Sequence, residues 1–194
     1  MIRSILLAVL AVATLGGCSS SPTAAFYTLS SDATLQRTDA PIPIDVVVGP
    51  VTVPELVDRP QMVTRVASNE VALNEFARWA EPLKSDIPRA LAGDLSQLLG
   101  TESVSVFPQG NGAAGAYQVR VDVLHFDSTL GEAVTIDAFW AVRAPKQAVP
   151  LTGRTIARET VSDSQYSSLV AAHSRALGTV SQDIAAAIRR ASGH

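Results

Sequence analysis

Tyr117-Gln118-Val119-Arg120-Val121-Asp122-Val123 alternates apolar and polar side chains without a break. Successive side chains of an extended chain point to opposite faces, so this is a strand with one buried face and one wet face. The pattern then repeats. Val134, Ile136, Ala138, Trp140 and Val142 interleave with Thr135, Asp137, Phe139, Ala141 and Arg143. Residues 152–161 supply a third segment, and three such neighbours joined by short connections form an antiparallel meander. On this reading Asp122 and Asp137 lie on outward faces, where solvation accounts for them.

A sheet with one apolar face needs cover, and the chain supplies two candidate helices. Across residues 166–190, Leu169, Ala172, Ala176, Val180, Ile184 and Ile188 recur at helical spacing, and Arg189-Arg190 suits the negative end of the helix dipole. Leu83, Ile87, Leu91, Leu95 and Leu98/Leu99 form a second stripe that contains Pro88. A start near Ser85 or Asp86 places that proline in the first turn, where its missing N–H does no harm, and is favoured over a bend. Upstream, residues 44–48 form an apolar run closed by Gly49-Pro50, and Val51-Thr52-Val53 is extended. Residues 62–67 and 70–74 flank a Ser68-Asn69 turn as a hairpin. Phe26-Tyr27-Thr28-Leu29 and the Val104/Val106 pair add short strands. The expected fold is one α/β domain, a mixed and largely antiparallel sheet packed by two main helices, with no repeat and no second domain.

The N-terminus carries a different message. Arg3 precedes an apolar run over residues 5–15, about half of the ~20 residues a membrane-spanning helix needs. Leu15-Gly16-Gly17-Cys18 follows, a lipobox: an apolar residue, two small ones, and the one cysteine of the chain. The expected organisation is a signal peptide at 1–17, a lipidated tether at 18–25 and a periplasmic domain at 26–194. Cys18 is the expected lipid attachment site. Three acyl chains, as other lipoproteins carry, exceed the two signals that stable anchoring needs. Ser19, where an inner-membrane lipoprotein often has Asp, points to the outer membrane.

Several function classes drop out. Without residues 1–17 the chain has 14 basic and 18 acidic groups, a net of −4, which gives no reason to expect nucleic acid. Gly110-Asn111-Gly112-Ala113-Ala114-Gly115 spells a dinucleotide fingerprint but opens a strand, so no helix N-terminus would meet a pyrophosphate. His125, His173 and His194 are too scattered for a metal site and read as surface or partly buried structural histidines. No serine sits in a G-x-S-x-G elbow. No cofactor, metal or catalytic activity is expected.

Two segments hold more information: Val53-Pro54-Glu55-Leu56-Val57-Asp58-Arg59-Pro60-Gln61-Met62-Val63-Thr64-Arg65 and Phe76-Ala77-Arg78-Trp79-Ala80-Glu81-Pro82-Leu83. With the lipobox and the Phe26–Leu29 strand, they resemble the PqiC/YmbA-like auxiliary lipoproteins of MCE-type transport systems, with Val57 and Met62 as mild departures. The resemblance implies a non-enzymatic outer-membrane subunit that docks an MCE-domain protein of the inner-membrane transporter, with homo-oligomerisation left open. Asp58, Arg59, Gln61, Arg65 and Trp79 are the candidate partner contacts. They also have a plain structural reading, in which Asp58 and Arg59 pair within a turn stiffened by Pro60, and Trp79 packs the loop on the first helix. A lipid carrier, which would need an apolar cavity, and an envelope scaffold without a transport role are the alternatives.

Overall fold

The computed structural model describes residues 23–108 and 115–193. The leader, Cys18, Ser19, residues 110–114 of the glycine-rich loop and His194 lie outside the described residues. In chain order the elements are β1 (Ala25–Tyr27), β2 (Val46–Thr52), β3 (Gln61–Ala67), β4 (Glu70–Trp79), α1 (Leu83–Leu99), β5 (Val104–Val106), β6 (Tyr117–Thr129), β7 (Ala133–Arg143), β8 (Leu151–Thr160) and α2 (Tyr166–Ser192).

The single α/β domain with two main helices holds, and its strands divide between two mixed sheets. The larger has the order β5-β2-β6-β7-β8 and the smaller β1-β4-β3. The meander β6-β7-β8 is antiparallel, with Val121 opposite Trp140 and Ala138 opposite Thr155. β2 runs parallel to both β5 and β6, and its ladder breaks between Val48 and Val51, around Gly49 with its φ of +115°. The β6–β7 ladder shifts between Val123 and His125, which resets the alternation so that Phe126 and Ser128 are buried. Where the sheet meets the helices, a Cβ on Gly153 would stand 2.2 Å from the Trp140 indole, so only glycine fits beneath that ring.

Both helices pack on one face of the larger sheet, α1 against β2 and β5, α2 against β7 and β8, and the two against each other. Val119, Val134, Ile136, Leu91, Leu95, Leu177, Ile184 and Ile188 are among the side chains sealed between them. α1 begins at Leu83, earlier than the sequence reading placed it. The Pro82 carbonyl accepts the N–H groups of Ser85 and Asp86, and Leu83 is buried, so the first turn is already closed and packed. Pro88 therefore sits inside the helix. α1 ends at Gly100 (φ +67°), where a Cβ would press on Pro41 at 2.9 Å.

The strand-face reading of Asp137 also needs correction. Its carboxylate is buried, because Arg154 on β8 covers it with two hydrogen bonds of 2.8 and 2.6 Å and His125 adds a third contact at 3.2 Å. Arg154, the larger influence, and His125 together hold the Asp137 pKa below the usual carboxylate value. Asp122 is half-buried and accepts from Thr52 and Arg120.

Residues 28–42 form a strap across the helices. Leu29 N–H donates to Asp86 at 2.7 Å, Ser30 N–H to Ser174, and Asp32 N–H to Asp94 at 2.8 Å; Ser181 closes the second Asp94 oxygen at 2.9 Å. Close approach needs small residues beneath it. A Cβ on Gly178 would lie 2.6 Å from the Asp32 carboxylate.

Candidate functional site

The two information-rich segments meet at one end of the smaller sheet. Residues 54–59 form a turn in which Val57 and Asp58 N–H groups return to the Pro54 carbonyl, with Val57 buried as its anchor. The Trp79 N–H donates to the Pro60 carbonyl at 2.7 Å, which ties the turn to the end of β4. β4 reaches this point through a bulge: the ladder jumps from Met62–Asn74 to Gln61–Arg78. Asn74 stabilises the bulge by accepting the N–H groups of Phe76 and Ala77, each at 2.8 Å.

Register then decides which side chains share a face. Phe26 pairs with Arg78 across β1–β4, and Arg78 with Gln61 across β3–β4, so the three form one row across the sheet. One residue further on, Trp79 faces the opposite way. It is 5% exposed, with its ring centroid 6.1 Å from Phe126 and 6.3 Å from His173. His173 is completely buried rather than at the surface. It stacks on Phe126 at 4.0 Å and shares a 2.8 Å hydrogen bond with Ser128, and burial pushes its pKa down to about 3. Trp79 therefore rests on a neutral aromatic stack.

Between the row and the turn lies an open groove of about 330 Å³, lined by Phe26, Asp58, Arg59, Pro60 and the run from Arg78 to Pro82. Its charges are sorted. Lys84 of α1 binds Asp58 at 2.6 Å, and Arg89 of α1 pairs with Glu81 and with the buried Asp86. Glu81 and then Asp86 raise the Arg89 pKa above its already high value. The groove's own two guanidiniums are left over. The Arg59 side chain is exposed and has no hydrogen-bond or ion-pair partner among the described residues; the half-buried Arg78 side chain has none either, and its Nε is buried. Asp58 and Arg59 thus do not close onto each other through their side chains.

Of the five candidate contacts, Asp58, Arg59 and Trp79 come together here. Gln61 stands beside the groove with its amide 3.3 Å from Glu75. Arg65 lies at the far end of β3, bonded to Asp127 at 2.7 Å and to the Ser68 carbonyl at 3.2 Å. Phe26 and Arg78 were missed as site residues. The available signal was alternation: carrying β4 through to Trp79 places Arg78 on the face opposite the indole. Among the described residues no cluster of His, Cys, Asp and Glu could hold a metal.

The domain has two helices, two sheets and an open groove with two unpaired guanidiniums, and among the described residues no helix is long and apolar enough to cross a membrane. The model of the family described as ABC-type transport auxiliary lipoprotein component matches residues 27–185, and the chain belongs to that family, the PqiC/YmbA-like group that its motifs resemble. It is a transport auxiliary family and not a known enzyme family. The fold is shared with protein XCC0632 from Xanthomonas campestris, with a TM-score of 0.68 at 15% identity over 88% of this chain and 100% of that one. A crystal structure of an uncharacterized protein matches with a TM-score of 0.68 at 20% identity, over 86% of this chain and 99% of that one. No curated protein sequence matches the chain.

Proposed function

We propose that this lipoprotein is the outer-membrane docking subunit of an MCE-type intermembrane lipid transport system, anchored by acyl chains on Cys18 and facing the periplasm. The anchor holds the domain at the membrane, and the motif groove receives the MCE-domain partner. One observation carries the docking assignment: the two motif segments, eleven or more residues apart in the chain, build a single groove in which the Arg59 guanidinium has no internal partner among the described residues. A rigid, proline-bracketed turn loses little entropy when a partner orders it, and an unpaired guanidinium can form a bidentate pair across an interface.

Arg59→Ala tests the assignment. The expected result is a folded protein that no longer co-purifies with the MCE partner. A variant that still captures the partner at wild-type affinity would place the interface elsewhere. The anchor is tested separately: Cys18→Ala should abolish labelling with an alkyne fatty acid, and Ser19→Asp should move the protein toward inner-membrane fractions on a sucrose gradient; unchanged labelling or fractionation would contradict the anchor or its sorting.

A further inference from the structure

We infer that the groove holds the phosphodiester of a phospholipid headgroup from the membrane in which the chain is anchored, gripped between Arg59 and Arg78. The inference rests on the anchor at Cys18 but not on the MCE partner. It concerns the same groove, and it adds Arg78, which the docking reading does not use.

Charge comes first. The groove would be electrically mixed if its two acids were free, but Lys84 and Arg89 tie Asp58 and Glu81 to α1. What remains for a ligand is two guanidiniums without partners among the described residues, one of them with a buried Nε and no acceptor. Guanidinium forks match phosphate oxygens in shape as well as charge. The chain as a whole is acidic, so this concentration of unpaired positive charge is local.

Placement comes second. Six residues separate Cys18 from β1, and β1 carries Phe26, one wall of the groove. Fully extended, that tether spans at most about 25 Å, so the groove stays close to the bilayer surface. The apolar surroundings fit the same place. Phe26 is 64% exposed, and Phe76 and Leu56 are 48% and 44% exposed. Exposed aromatic and aliphatic side chains mixed with arginine are what the headgroup region of a bilayer accommodates. A groove of about 330 Å³ takes a headgroup and leaves the acyl chains in the membrane.

The test uses the acylated mature protein purified in dodecyl maltoside, a detergent without phosphate. It is titrated calorimetrically with dihexanoyl-phosphatidylglycerol, dihexanoylglycerol, inorganic phosphate and the peptide acetyl-Asp-Phe-Glu-amide. The expected result is binding of the phospholipid at least tenfold tighter than of the other three. Arg59→Gln and Arg78→Gln should each weaken it about tenfold, the scale of one charge-assisted contact. Arg120→Gln, which removes a guanidinium paired with Asp122 away from the groove, should bind as wild type does. Inorganic phosphate binding as tightly as the lipid would reduce the groove to a small-anion site and overturn the inference. So would tighter binding of the peptide, or unchanged lipid binding by both variants. Should Arg78→Gln fold poorly, the exposed Arg59 carries the test alone. Partner capture is measured on the same samples. Loss of lipid binding with capture intact supports the inference and moves docking away from this groove, and the reverse supports docking and overturns the inference.

Discussion

The strap over the helices and the groove at the smaller sheet are built from the same materials, carboxylates, cations and aromatic or aliphatic walls, yet they treat polar groups in opposite ways. Under the strap, Asp86 and Asp94 are buried, and each accepts a backbone N–H from residues 28–42. Glycines bring the strap and helices into contact there. In the groove, the acids are drawn aside by α1 and two arginines are left without partners among the described residues. Burial makes unmet polar groups costly, so the strap's network is closed because stability requires it. At the open rim the exposed, unpaired Arg59 guanidinium costs little and can be kept for a ligand, while the buried Nε of Arg78 carries a cost that a ligand would relieve. The two regions should therefore respond oppositely to mutation.

The largest effect is expected at Asp86. Asp86→Ala leaves the Leu29 N–H buried without an acceptor and removes one of the two acids that hold Arg89. The loss should be about 3 kcal/mol, a fall in melting temperature of roughly 6–12 °C by thermal denaturation. An unchanged melting temperature would remove the distinction between the two regions.

Asp94 tests the same network through pH. Burial, the main cause, raises its pKa to about 6. The folded state thus holds the Asp94 proton more tightly than the unfolded state, and this stabilising contribution is complete below about pH 4 and lost as pH rises through 6. His173 acts in the other direction. With its pKa lowered to about 3, its neutral form favours folding fully above about pH 6.5, and that contribution is lost as pH falls. Between pH 4 and 6 the two offset each other. Asp94→Asn keeps an acceptor for Asp32 N–H and a polar neighbour for Ser181, so it should gain about 1–3 kcal/mol at pH 7.5. The variant should then lose about 1.4 kcal/mol per pH unit on acidification below 6.5, measured by denaturant unfolding across pH. A pH profile parallel to that of the wild type would contradict this assignment.

Much of the larger sheet was legible because residues 117–123 of β6 and 134–143 of β7 largely alternate apolar and polar side chains, and β7 and β8 are neighbours in the chain. The β2 pairings were not, since a parallel partner at long sequence separation leaves no local signature. Asp137 was misread because its cover, Arg154, comes from the adjacent strand and is visible only once register is known. The start of α1 was misplaced because the Pro82 carbonyl, rather than a capping side chain, closes its first turn. At the site, the two motifs were recognisable as segments, but their meeting depends on the Asn74-supported bulge and the Trp79–Pro60 hydrogen bond. Gln61 and Arg65 were singled out as members of the first motif segment, and the fold gives both of them acceptors within the domain.

Arg65 lies at the opposite end of β3 from the groove. Its bond to Asp127 is half-exposed, so Arg65→Ala should cost no more than about 1 kcal/mol. Partner capture should be unaffected, because the residue lies away from the groove. Pull-down with the variant checks this, and loss of capture at full stability would extend the interface along β3.

The smallest effect on stability, and the largest on function, is expected where the guanidiniums stand free. The double variant Arg59→Ala/Arg78→Ala should melt within about 2 °C of wild type, as substitutions without internal polar partners do. In cells whose own copy is deleted, it should fail to restore resistance to detergents that probe outer-membrane integrity. Melting temperature and complementation are measured together on this variant, to separate a ligand-binding groove from a structural one. Unchanged melting with lost complementation is the predicted result. Full complementation, or a loss that follows a lowered melting temperature, would show that the groove is only part of the scaffold.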